Sequence, residues 1–172
     1  MPVLQPNVPP PPNYYAENLL RMLGAVARQY SDILLESERD YLRRAFTLSA
    51  DAQRLYARLL TRKGPLVRID SLEYREVCDL AGALAELEAA ALVQRNPTPP
   101  ADRFLERLTR DELVGLFPRV RATRKDVQVD TIAARYPDHH IRDVVSRRHA
   151  MCTTLDCDRL SLMQMLFFGE TR

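Results

Sequence analysis

Ala52-Gln53-Arg54-Leu55-Tyr56-Ala57-Arg58-Leu59-Leu60-Thr61-Arg62-Lys63-Gly64 joins an apolar face, a row of cations and a helix stop in one segment. At 3.6 residues per turn, Ala52, Leu55, Tyr56, Leu59 and Leu60 share one side, as an amphipathic helix requires. Arg54, Arg58 and Arg62 stand four apart on another side. From Arg54 to Arg68 the chain carries Arg54, Arg58, Arg62, Lys63 and Arg68 and no acid. Like charges on one helix face repel, so an anionic partner would relieve a cost that folding leaves standing. A solvated arginine face is the plainer reading of the same pattern. Ser49 precedes the helix as an N-cap, with Asp51 in the first turn. Gly64 stands where a C′ glycine belongs, and Pro65 prevents continuation.

Outward from this helix the chain reads as mainly α. Leu19, Leu20, Leu23, Val26 and Tyr30 recur at three and four, predicting a first helix from Tyr14. A second covers Glu36 to Leu48, with Leu42 and Phe46 inward. Leu66-Val67-Arg68-Ile69 is a short β-prone run. A helical region is expected from about Leu72 to Ala91, interrupted near Gly82, with Cys78 on an apolar helix face. Leu92-Val93-Gln94-Arg95 then pairs as a second strand, giving a small winged-helix-like β element. Asn96-Pro97-Thr98-Pro99-Pro100 reads as a linker. Thr109-Arg110-Asp111-Glu112 fits a capping box ahead of Leu113, Leu116 and Phe117, and Pro118 ends that element. Thr123 is the next expected N-cap. Val127, Ile132 and Tyr136 are expected inward before a stop at Pro137. Helices continue weakly from there.

Net charge is +2 over 172 residues. The total predicts no partner, but the charge is segregated. Residues 70–92 hold Asp70, Glu73, Glu76, Asp79, Glu86 and Glu88 against Arg75 alone. Residues 117–149 hold Arg119, Arg121, Arg124, Lys125, Arg135, Arg142, Arg147 and Arg148 against Asp126, Asp130, Asp138 and Asp143. Lys63 and Lys125 are the only lysines. Arginine suits bidentate phosphate contacts. Three scattered cysteines argue against a disulfide framework. The first residues, Pro-rich to Pro12, are no secretory leader and predict an extended arm. No apolar run is long enough to span a bilayer. These signs predict a cytoplasmic protein without a membrane partner.

Arg119, Arg121, Arg124 and Lys125 surround the expected start of a helix, where free N–H groups and the dipole favour an anion bridging them. An exposed Arg-rich loop is the alternative. Tyr14 at the first helix offers a ring or hydroxyl to a base or phosphate, or it closes the core. His149, Cys152 and Cys157 supply three zinc ligands where a structural site needs four. Neither lysine stands in the Asp/Glu-x-Lys setting of metal-dependent nucleases, since Thr61 and Thr123 occupy the acidic position. No Gly-rich phosphate loop, HExxH or nucleophile elbow is present. No catalytic residue and no metal ligand is therefore assigned in this chain. Leu160, Leu162, Met163, Met165, Leu166, Phe167 and Phe168 crowd the end of the sequence, and so apolar a segment is expected to be covered.

Together these segments resemble the N-terminal part of the Fanconi-associated nuclease family in its bacterial form. Tyr14-Tyr15-Ala16-Glu17-Asn18-Leu19 is similar to the family's YYxxNF opening. The 52–64 stretch resembles its xQxLYVRLxxRKG core, and Ser71-Leu72-Glu73-Tyr74-Arg75-Glu76-Val77 its LxYxEI segment. Phe104 to Tyr136 resembles its SAP-like helix-extended-helix module, with Arg124-Lys125 at the basic turn. Leu166-Phe167-Phe168-Gly169 resembles its LFFG stretch. The resemblance implies a Pro-rich arm (1–13), a helical, winged-helix-like DNA-binding domain (14–95), a linker (96–101), the SAP-like module (102–148) and a helical segment (149–172). Helical-repeat and VRR-NUC domains would follow. It further implies the DNA-binding region of a Mn²⁺/Mg²⁺-dependent, structure-specific DNase that cuts flaps, trims 5′ ends and helps repair interstrand crosslinks. The metal would belong to the full-length enzyme. The DNA-binding residues expected are Tyr14, Arg54, Arg58, Arg62, Lys63, Arg121, Arg124 and Lys125. They would form two cationic clusters facing one duplex. A helical protein-interaction domain with no DNA role is the rival reading.

Overall fold

A computed structural model of the protein describes residues 11–64, 66–122 and 124–169. The Pro-rich arm up to Pro10, the break at Pro65 and the expected cap Thr123 lie outside these residues. The described chain is mainly helical with one small sheet: α1 (Tyr14–Gln29), α2 (Glu36–Thr47), α3 (Ala50–Leu60), β1 (Leu66–Arg68), a 3₁₀ turn (Ile69–Ser71), α4 (Leu80–Ala89), β2 (Val93–Arg95), α5 (Ala101–Glu106), α6 (Arg110–Leu116), α7 (Lys125–Arg135), α8 (Asp138–Ser146), β3 (Met151–Thr154) and α9 (Cys157–Phe168). It divides into two compact units. The described residues of one are 11–62, 73–93 and 154–169; those of the other are 63–64, 66–72, 94–122 and 124–153.

The first unit forms around α3. Its apolar side buries Ala52, Leu55, Tyr56 and Leu59 against α1 and α4. Ser49 starts the helix as its residue type predicts: its hydroxyl accepts from the Ala52 N–H at 3.3 Å. Helix α1 contributes Leu23 and Val26 to this core, α2 contributes Tyr41, Leu42 and Ala45, and α9 contributes Leu160 and Met163. Burial of each leucine, valine or methionine among these stabilises by about 1.5–3 kcal/mol. Phe46, expected inward, is 41% exposed; Leu42 and Ala45 already fill the inner stripe of α2.

Arg44 ties this unit together. It donates to Asp40 (2.8 Å), to the Ala90 and Ala91 carbonyls (2.9 and 3.1 Å) and to Asp156 (2.8 Å). It thereby closes the left-handed turn at Ala91 and holds the residue that opens α9. Helix α9 also packs on α1, and the Tyr30 hydroxyl donates to the Leu166 carbonyl.

Residues 72–79, expected as helix, are not helical. Asp51 on α3 explains why: one of its oxygens accepts from the Cys78 and Asp79 N–H groups, each at 2.9 Å. Those groups are thereby removed from any helix, and Asp79 caps α4 by accepting from the Gly82 N–H. Cys78, expected on an apolar face, is exposed in this segment.

The second unit packs α5 against α7 and α8, with α6 on α7. Phe104, Leu105, Leu108, Leu113, Phe117, Ile132, Ile141 and Val145 form its core. The capping box at Thr109 is present: its hydroxyl accepts from the Glu112 N–H, and the Glu112 carboxylate accepts from the Thr109 N–H at 2.6 Å. Ile132 is fully buried and Tyr136 packs on the core edge, but Val127 is 46% exposed. The sheet runs β1-β3-β2. The two expected strands therefore do not pair with each other; β3, read from sequence as helix, lies between them. Leu66 opposes Thr153, Val67 opposes Cys152 and Arg68 opposes Met151, antiparallel.

Candidate nucleic-acid interface

In the first unit Arg54 and Arg58 of α3, and Arg62 just beyond it, meet three different fates. Arg54 is spent inside the fold. It donates to the Asn13 side chain (2.8 Å), to Asp51 (2.9 Å) and to the Glu76 carbonyl (3.2 Å), anchoring the start of α1. The Asp79 N–H, with those of Cys78 and Arg54, holds the Asp51 carboxyl below the usual carboxylate range.

Arg58 lies against two aromatic rings. Its guanidinium carbon is 4.2 Å from the centre of the Tyr15 ring and 5.3 Å from that of Tyr74. Its Nε and Nη2 both stand 2.6 Å from Glu76 Oε1. Arg62, one turn on, has its guanidinium carbon 5.6 Å from the centre of the Tyr74 ring and donates from Nε to the Tyr74 hydroxyl at 2.9 Å. Among the described residues its charge faces no carboxylate. Tyr14 is half-buried and meets Tyr15 edge-on at 5.6 Å. It is Tyr15, not Tyr14, that carries a cation. Tyr15, Tyr74 and Glu76 are members of this surface that sequence reasoning missed. Tyr74 and Glu76 sit in a turn closed by the Val77 N–H on the Tyr74 carbonyl at 3.1 Å, which the expected helix concealed.

In the second unit Lys63 is exposed, and its carbonyl accepts from Arg107 Nη1 at 2.9 Å. Gly64 has φ +82°, and a Cβ there would stand 2.4 Å from Arg107 Nη2. The Lys63-Gly64 turn thus rests on Arg107, also missed from the sequence. Arg121 is exposed at the end of a segment pinned by side chains of α7: Gln128 donates to the Val120 carbonyl (3.3 Å) and Arg135 to that of Arg119 (3.4 Å).

Arg124 is the residue before α7 and is ion-paired to Asp126. The Val127 N–H, then Arg124, holds that carboxyl down. Lys125 donates to the Glu106 carbonyl at 2.8 Å. The recess beside it is lined by Glu106, Arg124, Lys125, Asp126, Val129 and Asp130. Three acids against two bases make that recess a poor anion pocket, so Lys125 can serve a phosphate only on its outer side. The structure therefore brings Arg58 and Arg62 together with tyrosines on one unit. On the other it presents Lys63, Arg121 and Lys125, and it engages Arg54 and Arg124 with acids.

Arg68 and His149 are accounted for structurally. Arg68 forks onto Glu112 (2.8 Å to each oxygen) and Asp70 (2.7 and 3.1 Å). His149 Nδ1 is 3.0 Å from Asp70 and 3.1 Å from Arg68. Arg68, with His149, holds Asp70 well below the usual range. Burial pushes Glu112 up, but the Thr109 N–H and Arg68 outweigh it and hold it low. Burial also pushes the Cys152 thiol up to about 11. Among the described residues no three His, Cys, Asp or Glu side chains are grouped to hold a metal ion. No described helix is long and apolar enough to cross a membrane.

Residues 13–94 match the family model described as the FAN1 HTH domain. A Fanconi-associated nuclease 1 homolog of Pseudomonas aeruginosa is 30% identical across 99% of this chain. The chain belongs to the Fanconi-associated nuclease family. Fanconi-associated nuclease 1 of Homo sapiens is 34% identical over 107 residues, 60% of this chain and 10% of that protein. The crystal structure of paFAN1 bound to 2nt 5′ flap DNA with gap superposes with a TM-score of 0.83 at 26% identity, over 95% of this chain and 31% of that one. A second, of paFAN1 bound to 1nt 5′ flap DNA with gap, gives 0.80 at 25% identity, over 92% of this chain and 30% of that one. The chain spans 31% of the length of the Pseudomonas nuclease. Within this family, β3 and α9 lie outside the segment that the HTH model covers.

Proposed function

We propose that this chain is the DNA-holding region of a metal-dependent, structure-specific nuclease acting on 5′ flaps in DNA repair, interstrand crosslinks included. It binds duplex or flap DNA through phosphates, and hence by shape rather than sequence. The observation that carries this reading is a set of exposed cations without carboxylate partners among the described residues, Arg62, Lys63 and Arg121, on a fold similar to one crystallised with flap DNA. With Lys125 they would hold the backbone, and Tyr14 would add a polar or stacking contact from the first unit. The SAP-like reading of the second unit is part of this proposal.

Mn²⁺ or Mg²⁺ chemistry needs clustered carboxylates that activate water and stabilise charge on phosphate. The described residues offer no such cluster, so no chemical step is assigned here. Hydrolysis is proposed for helical-repeat and VRR-NUC portions of a longer protein, working in the cytoplasm at the bacterial nucleoid. Met165, Phe167 and Phe168, 37%, 41% and 71% exposed at the end of α9, support a contact surface toward those portions. The test is fluorescence anisotropy of labelled 5′-flap DNA, blunt duplex and single strand of several sequences. Flap and duplex should bind alike across sequences. Binding confined to one sequence, or absent at low salt, overturns the reading.

A further inference from the structure

Arg58 and Arg62 look alike in sequence, yet their surroundings divide the labour between them. Glu76, the acid that faces Arg58, is only 7% exposed. If Arg58 swung out to a phosphate, it would leave that carboxylate charged, buried and alone, which is unfavourable. Its guanidinium also lies against two rings, Tyr15 at 4.2 Å and Tyr74 at 5.3 Å. Arg58 has no uncommitted charge. Arg62 has one. It is exposed, its two terminal nitrogens have no hydrogen-bond partner among the described residues, and Nε alone is used, on the Tyr74 hydroxyl.

We infer that Arg58 and Glu76 are a positioning pair, and that the Tyr74 ring they brace aims Arg62, the phosphate ligand of this surface. The order Tyr15, Arg58, Tyr74, Arg62 is then a ladder of alternating rings and cations that is rigid at its inner rungs and open at its outer one. Pre-ordering a long side chain in this way removes entropy that binding would otherwise cost. The inference rests on the phosphate-binding reading above and assigns roles within it.

The test measures salt dependence on a labelled 5′-flap duplex, because each neutralised phosphate contributes about 0.9 to the slope of log K against log salt. R62Q should lower the slope by about 0.9. R58Q/E76Q, a neutral pair of the same shape, should weaken binding but keep the wild-type slope. Y74F keeps the ring and removes the hydroxyl; it should weaken binding about two- to tenfold, the equivalent of one hydrogen bond. Neither change should weaken binding further in an R62Q background. Unaltered circular dichroism excludes misfolding. A slope lost in R58Q/E76Q, or kept in R62Q, overturns the assignment while wild-type binding stands. Wild-type binding with no salt dependence overturns the phosphate reading itself, and the inference with it.

Discussion

Replacing Gly64 with alanine perturbs the turn that presents Lys63. At φ +82° an L-residue is strained by about 1–2 kcal/mol relative to glycine. The new methyl would also meet Arg107 Nη2 at 2.4 Å. That nitrogen ends a flexible side chain and can retreat, but retreat costs the 2.9 Å hydrogen bond from Arg107 to the Lys63 carbonyl, about 1 kcal/mol. The sum is about 2–3 kcal/mol, or about 5–10 °C in Tm for a chain of this size. Urea denaturation of G64A, R107A and the double variant separates the two parts. The double variant should be less destabilised than the sum of the singles, because the clash and the hydrogen bond are the same contact. A loss under about 0.5 kcal/mol in G64A, or strict additivity, would refute this account of the turn.

Ser49→Ala removes both the cap of α3 and a hydroxyl that donates to Glu86 at 2.5 Å; chemical denaturation should show a loss of about 1–2 kcal/mol. Asp70 and Glu112 both titrate lower folded than unfolded. Their contribution is therefore complete above their ordinary values near pH 4 and is lost as pH falls toward the folded values. Tm should drop between about pH 5 and pH 3, and R68M should flatten that drop; an unchanged acid limb would contradict the network. Cys78 and Cys157 are exposed whereas Cys152 is buried with its thiol raised to about 11. At neutral pH a thiol reagent should label Cys78 and Cys157 quickly and Cys152 only on unfolding, as mass spectrometry of the labelled peptides would show.

Local signals in the sequence specify the helices well. Ser49 and Thr109 cap the helices expected of them, and the apolar side of 52–60 is the buried side. What sequence could not supply was set at long range. Met151–Thr154 becomes a strand because Leu66–Arg68 offers it an edge more than eighty positions earlier, and nothing local in that run demands it. Residues 72–79 lose helical form because Asp51 takes two of their N–H groups. Phe46 and Val127 obey the helical period within a residue but fall outside the buried stripe.

The cations differ in the fold far more than in the sequence. Arg44, Arg68 and Arg107 resemble Arg62 in sequence, yet each is consumed inside the fold, Arg44 by an acid 112 positions away. Charge segregation reveals where cations are dense; only coordinates reveal which of them face a carboxylate. For the same reason the eight expected DNA-binding residues divide into engaged side chains, such as Arg54 and Arg124, and open ones, such as Arg62 and Arg121.

The most direct test of the phosphate-holding account is the affinity for 5′-flap DNA between about 50 and 200 mM salt, for the wild type and for R62Q/K63Q/R121Q/K125Q together. The account predicts a steep wild-type decline and a variant slope shallower by up to about 3.6, that is about 0.9 for each of four phosphates. Equal slopes in the two proteins would contradict it.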